Sequence, residues 1–260
     1  MITCGNATVI LPTLPDKSVD MIFTDPPYGL MNNAGGDFTS RREVALGTGT
    51  YIPKEDDRPV IGDEIADDIF YVFAKEAARL LKPGSCLCCC AGGGAAVSKR
   101  IVGKDIDPVP VCVKWIPILV STPGLNFKHM IIWDKGPIGI GWHYRSSYEV
   151  VLVAQKTGAS CRWYDTSHKV ENVIRHVRKV PQTKNRHPVE KPAALAAHFI
   201  GLHSKPGDVV LDPFCGHGST GVAATNMERK FIGIDIDPGY CKVAEHYISE
   251  AGMPLFGDVN

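Results

Sequence analysis

The sequence predicts an α/β fold, and three observations carry that expectation. Strand-length apolar runs alternate with helix-length amphipathic stretches along most of the chain. One run near the start, Val19-Asp20-Met21-Ile22-Phe23, leads into Thr24-Asp25-Pro26-Pro27-Tyr28. Another near the end, Val209-Val210-Leu211, leads into Asp212-Pro213-Phe214-Cys215-Gly216-His217-Gly218-Ser219-Thr220. With 260 residues, of which 44% are hydrophobic and 22% charged, the chain can bury one large core, and residues 1–260 read as a single domain.

In order, the expected strands are Ser18 to Phe23, Cys86 to Cys90, Lys128 to Trp133, Tyr148 to Val153, Val209 to Leu211 and Phe231 to Ile234. Ile65, Ile69, Val72, Phe73, Ala77 and Leu80 recur at helical spacing, and Pro83-Gly84 stops that helix. Tyr240, Val243, Ala244, Tyr247, Ile248 and Ala251 form a second stripe near the carboxyl end. Both stripes read as core-facing. Two segments fit neither period: Met31 to Asp63, rich in Gly, Asp, Thr and Arg, and Gly158 to His187. Long irregular segments inside a compact domain are usually functional. No internal repeat or low-complexity tract is present.

No apolar segment approaches the roughly 20 residues needed to span a bilayer. The amino terminus lacks the basic start and apolar stretch of a secretory signal, so the expected location is the cytoplasm. Nine cysteines are an odd number for a fully paired disulfide framework. Cys86, Cys88, Cys89 and Cys90 lie in one strand, where alternate side chains point to opposite faces instead of converging on an ion. They read as reduced core residues, and no metal ligand is assigned.

Net charge is zero, but its distribution is uneven. From Lys156 to Lys191 nine basic residues face three acids, whereas from Glu55 to Asp68 seven acids face Arg58 alone. A basic run between two chemistry-bearing blocks suits a phosphate backbone.

The carboxyl-terminal block reads strand, Asp212, Gly216-His217-Gly218, helix, strand, Asp235. Glycines allow a tight turn and close approach to a ligand, and the helix that follows offers free amides. Asp235, at the tip of its strand, suits ribose hydroxyls. The run Gly216-His217-Gly218-Ser219-Thr220-Gly221 also matches the dinucleotide fingerprint. Asp212 argues against that ligand, because an acid there repels a pyrophosphate and suits an ammonium group, such as the methionine end of S-adenosylmethionine.

Asp25-Pro26-Pro27-Tyr28 supplies what methylation of a conjugated amino group requires. Such an amine is a poor nucleophile because its lone pair is delocalised into the ring. Accepting both its hydrogens, through the Asp25 carboxylate and the Pro26 carbonyl, pushes the lone pair out of the ring plane. Pro26 and Pro27 fix the backbone, and Tyr28 offers a face for stacking. Glu171-Asn172-Val173 matches an element of the cytosine carbon-5 methyltransferases, but those enzymes also need a Pro-Cys nucleophile, and no Pro-Cys dipeptide occurs.

With both motifs in this order, the chain resembles the β-class DNA amino-methyltransferases over nearly its whole length. Gly5-Asn6, Leu14-Pro15-Asp16-Lys17-Ser18-Val19-Asp20, Ile131-Ile132-Trp133-Asp134-Lys135, Tyr144-Arg145, Tyr148-Glu149, His187-Pro188-Val189-Glu190-Lys191-Pro192 and Phe231-Ile232-Gly233-Ile234-Asp235 match in sequence order. The resemblance implies a doubly wound, mainly parallel seven-stranded sheet with circularly permuted motif order. It implies methyl transfer from S-adenosylmethionine, leaving S-adenosylhomocysteine, to adenine N6, or less often cytosine N4, of a base flipped out of double-stranded DNA.

By the same resemblance Asp25, Pro26, Pro27 and Tyr28 are catalytic. Asn6, Asp25, His187, Lys191, Asp212, Phe214, Gly216, Gly218, Ser219 and Asp235 surround the cofactor, with Lys191 and Ser219 near its carboxylate. Asn6 stands where an acid often contacts the cofactor adenine, Val189 where threonine is frequent, and His217 where serine is frequent. Met31 to Asp63 and Gly158 to Arg186 are the expected DNA-reading segments, with Arg41, Arg42, Arg175, Arg178, Lys179, Lys184 and Arg186 as contacts. A homodimer and a separate cognate restriction nuclease are common companions of such enzymes, and the sequence decides neither. A catalytically silent DNA binder of the same fold is the reading from a different class.

Overall fold

The computed structural model describes residues 1–28, 66–93, 100–101, 104–105, 109–136, 147–175, 177 and 191–251. Segment 31–63, and with it Arg41 and Arg42, lies outside the described residues, as do Arg178, Lys179, Lys184, Arg186 and His187. Among the described residues, no helix is long and apolar enough to cross a membrane.

The strands are β1 (Ile2–Cys4), β2 (Val19–Thr24), β3 (Leu81–Cys90), β4 (Arg100–Ile101), β5 (Lys104–Asp105), β6 (Leu125–Asp134), β7 (Tyr148–Lys156), β8 (Val173–Ile174), β9 (Val209–Asp212) and β10 (Lys230–Asp235). The helices are α1 (Ala7–Ile10), α2 (Ala66–Leu80), α3 (Val111–Ser121), α4 (Ala193–His203), α5 (Ser219–Asn226) and α6 (Pro238–Ala251). The main sheet has eight strands in the order β1-β10-β9-β2-β3-β7-β6-β8, and β4 pairs with β5 separately. In the main sheet β7 runs antiparallel to β3 and β6, and the other pairings are parallel.

Burial on both faces explains the near-continuous apolar runs of the central strands. Ile22, Leu87, Cys89 and Leu211 point toward a layer built from Phe70, Phe73, Ala74 and Ala77 of α2 with Trp115 and Leu119 of α3. Met21, Phe23, Cys88, Cys90 and Val210 point to the opposite layer, where Leu195, Phe199 and Ile200 of α4 meet Ala223 and Ala224 of α5. The cysteine run thus alternates between faces as the strand period predicts, and all nine cysteines are free.

The topology fixes where a ligand can sit. From the centre of the sheet the chain advances one way from β2 through α2 to β3, and the other way from β9 through α5 to β10. The junction of β9 and β2 is therefore a topological switch point, where the helices diverge and leave a crevice beyond the carboxyl ends of the strands. Both sequence motifs emerge there.

Several sequence expectations change. Eight strands replace seven because Val173–Ile174, inside the segment expected to be irregular, pairs parallel with Ile132–Trp133. Helix α2 ends at Leu80, before Pro83-Gly84, and β3 begins at Leu81. Pro83-Gly84 instead forms a bulge, since Val19 pairs with Leu81 but Met21 already pairs with Cys86. Gly84 has φ +82°, and a Cβ there would lie 2.2 Å from the Ser160 carbonyl oxygen, so only glycine fits. In the α6 stripe Ala244 is buried but Tyr247 is exposed. The short β1 and helices α1, α3 and α4 carry too few periodic residues to have been delimited from sequence.

Candidate active site

Strand β2 is buried along its whole length and delivers Asp25 to the crevice. Directly before it, the Thr24 hydroxyl donates to Asp212 Oδ1 at 2.6 Å. The Thr220 hydroxyl donates to Asp212 Oδ2 at 2.6 Å, and the Phe214 backbone N–H to Oδ1 at 3.1 Å. Asp212 is buried, and desolvation pushes its carboxyl up to about 6 against these three donors. A carboxylate has about four lone-pair sites, so one remains for an ammonium group.

On the other side of that link, Asp25 is the hub of a charged chain. Lys191 Nζ lies 2.6 Å from Asp25 Oδ2 and 3.2 Å from Glu149 Oε2. Lys135 Nζ binds Glu149 Oε1 at 3.0 Å. The Tyr28 hydroxyl donates to Asp25 Oδ1. Burial raises the Asp25 carboxyl, and the Lys191 charge is what opposes it. Burial would also raise Glu149, but Lys191 and Lys135 outweigh it and leave its carboxyl below the ordinary value. Burial alone would lower the Lys191 ammonium, yet Asp25 and Glu149 hold it well above its usual range. Lys191 is thus a fixed cation in a buried position.

Tyr28 is held from behind. Its ring lies 5.8 Å from that of Trp115, which stacks on Phe70 at 4.0 Å with 3° between planes. Gly92, at φ +67°, follows the strand in a backbone conformation that favours glycine, and its Cβ position lies at ordinary contact distance, 3.6 Å, from the Tyr28 ring.

The loop after β9 is shaped by the end of β10. Asp235 accepts from Gly216 N–H at 2.8 Å and Asp237 N–H at 2.9 Å, and Cys215 N–H donates to the Ile234 carbonyl at 2.9 Å. Gly218 precedes α5 with φ +84°, and a Cβ there would lie 2.9 Å from the Ala244 Cβ. Gly216 has φ +49°, and the place its Cβ would occupy has nothing within 4 Å. Ser219 opens α5 half-buried, and the Phe214 ring meets Phe73 edge-on at 5.7 Å. An open glycine, a half-buried aromatic, an acid at the end of β10 and a buried acid with one free lone pair suit an adenosine carrying an amino acid.

Gly5 N–H donates to the Asp235 carbonyl at 2.8 Å, which brings Asn6 to the same edge. The Asn6 side-chain oxygen caps α1 by accepting from Thr8 N–H at 2.9 Å and the Thr8 hydroxyl at 2.8 Å. Its amide N–H2 is the group left for a ligand. Arg175 pairs with Glu171 at 2.7 Å on the exposed surface beside β8. Sequence reading gave no role to Glu149, Lys135, Thr24, Thr220 or Trp115. Glu149 had a signal, as an acid directly before an unbroken apolar run. The basic stretch includes Arg162, which is committed instead to the buried Asp20 at 2.6 Å.

A mainly parallel, doubly wound sheet is an architecture that takes nucleotide cofactors at its switch point. The chain belongs to the N6/N4 DNA methylase family, which it matches over residues 19–246, and members of that family use S-adenosylmethionine. It is 28% identical to the DNA adenine methyltransferase YhdJ of Escherichia coli, over 95% of this chain and 84% of that protein. With the type II methyltransferase M2.DpnII of Streptococcus pneumoniae the identity is 27%, covering 90% and 84% of the two chains. Among solved structures, TTHA0409 of Thermus thermophilus complexed with S-adenosyl-L-methionine superposes with TM-score 0.68 at 24% identity, covering 98% of this chain and 95% of that one. The cytosine-N4-specific PvuII DNA methyltransferase gives TM-score 0.69 at 18% identity, covering 100% and 87%. These two show that the fold is shared.

Proposed function

We propose that this DNA methyltransferase, acting as a single domain over residues 1–260, methylates adenine N6 in double-stranded DNA. The observation that carries the reading is the position of Asp25, one residue beyond the Thr24–Asp212 link that joins the two motifs. The adenine methyltransferase name of the E. coli relative supports the choice of base.

When bound, S-adenosylmethionine supplies a methyl group on a positively charged sulfur, an electrophile open to a nitrogen lone pair. Gly216, Gly218, Phe214, Asp212, Asp235, Asn6 and His187 would hold it, with Lys191 and Ser219 toward its carboxylate end. Asp25 and the Pro26 carbonyl accept the two amino hydrogens of a flipped adenine, Pro27 keeps that carbonyl aimed, and Tyr28 stacks on the ring. The incoming amine replaces the Tyr28 hydroxyl on Asp25 Oδ1, while Lys191 stays on Oδ2. Positive charge would develop on the amine as it takes up the methyl group and the sulfur–methyl bond breaks to leave S-adenosylhomocysteine, and the Asp25 carboxylate would stabilise that charge and take the proton that leaves the nitrogen. Holding donor and acceptor in line supplies much of the rate.

Segments 31–63 and 158–186 are proposed to read the DNA, through Arg41, Arg42, Arg175, Arg178, Lys179, Lys184 and Arg186. Incubation with labelled S-adenosylmethionine and unmethylated duplex DNA, followed by nucleoside analysis, tests the assignment. N6-methyladenine at one short sequence is expected. N4-methylcytosine would overturn the choice of base.

A further inference from the structure

Away from the crevice, three donors far apart in sequence converge. Cys86 Sγ lies 3.5 Å from Cys161 Sγ, and a His203 ring nitrogen completes a set whose ligand atoms are all within 4.8 Å of one another. Cys86 sits just after the β3 bulge, Cys161 on the segment that follows β7, and His203 at the last position of α4. Backbone bonds fix these segments to one another: Arg162 N–H donates to the Gly84 carbonyl at 2.9 Å, and Tyr164 N–H to the Leu202 carbonyl at 2.9 Å. The Trp163 ring packs edge-on against His203 at 5.3 Å. Cys86 is four residues before Cys90, so the cluster is about 13 Å along the strand from the crevice edge.

We propose that Cys86, Cys161 and His203 form a zinc site that clips the middle of β3 to the end of α4. Thiolate and imidazole are the donors that select this ion. Two thiolates across a tetrahedral zinc, each about 2.3 Å from the metal, stand ~3.8 Å apart, close to the observed 3.5 Å. His203 Nδ1 is 3.1 Å from the Arg162 carbonyl oxygen. Donating there leaves the lone pair on Nε2, the division of roles usual for a ligating histidine. The ion and its two thiolates are neutral overall and suit a largely buried position. Cys86 and His203 are buried and Cys161 is exposed, which gives the ion a way in and a water the fourth position. Sequence reading considered Cys86 only beside its neighbours on the strand, whereas its partners come from elsewhere in the chain.

Competition between the purified, reduced protein and a chromophoric zinc chelator, with zinc ion alone as the probe, tests the site. The wild type is expected to withdraw one equivalent of zinc, and Cys161→Ser to bind it at least about tenfold more weakly. Cobalt ion should give thiolate charge-transfer absorption that is weaker in Cys161→Ser, where Cys86 is the one thiolate left at the site, than in the wild type. Cys4→Ser, at the other exposed cysteine, should change neither readout. Equal zinc affinity in the wild type and Cys161→Ser would overturn the proposal, as would loss of binding in Cys4→Ser. So would rapid closure of Cys86 and Cys161 into a disulfide that zinc does not prevent. None of these outcomes bears on the methyl transfer reading.

Discussion

Thr24 and Asp212, 188 residues apart in sequence, share a buried 2.6 Å hydrogen bond that joins the reacting motif to the cofactor loop. Thr24→Val keeps the shape and removes the donor. Loss of a hydrogen bond to a buried carboxylate should cost about 1.5–3 kcal/mol in chemical denaturation, with weaker cofactor binding measured by calorimetry. An unchanged denaturation midpoint would mean that the bond is incidental.

Asp212 also sets a pH dependence. Burial raises its carboxyl to about 6, so its protonated form is favoured by folding; the stability it contributes is full below the ordinary value of 3.8 and is lost as pH rises through about 6. An ammonium ligand needs the ionised form. Affinity for S-adenosylmethionine should therefore fall as pH drops below about 6, and Asp212→Asn should remove that dependence along with much of the affinity.

The Lys191 charge opposes the rise that burial imposes on the Asp25 carboxyl, and Glu149 lies 3.2 Å from the same ammonium. In Lys191→Ala, only the Tyr28 hydroxyl still opposes burial at Asp25, so the acidic limb of the pH–rate profile should move to higher pH. Glu149→Gln leaves one charge partner for Lys191, strengthens its hold on Asp25, and should lower kcat more than it changes affinity for the cofactor. A profile in Lys191→Ala that coincides with the wild type would remove Lys191 from this role.

At the opposite end of β2, the buried Asp20 binds Lys82 at 2.7 Å, Arg162 at 2.6 Å and the Val209 N–H at 3.0 Å. Burial raises its carboxyl, but Lys82, Val209 and Arg162 together pull it below the ordinary 3.8. The stability from that shift is present above 3.8 and lost as pH falls through the lowered value. Asp20→Ala should cost about 3 kcal/mol, since two cations lose their partner, and should flatten the acid limb of stability measured by urea unfolding.

The legible parts of the molecule were those where chemistry and local geometry coincide. Asp25 and Asp212 each close an apolar strand in a motif with few other uses, and their strands meet at the switch point. Gly84 looked like a helix stop because proline and glycine punctuate chains in several ways, and only the pairing with β2 reveals a bulge. Glu149 and Lys191 are 42 positions apart, and no local pattern couples them. The charge excess from Lys156 to Lys191 is smaller at the surface than the composition implies, because Arg162 and Lys191 are spent on Asp20, Asp25 and Glu149.

The central claim is that Asp25 accepts the amino group that becomes methylated. Its most direct test is methyl transfer to unmethylated duplex DNA by Asp25→Asn, with binding of S-adenosylmethionine measured on the same sample. Turnover should be lost while the cofactor still binds. Methyl transfer at the wild-type rate would contradict the account.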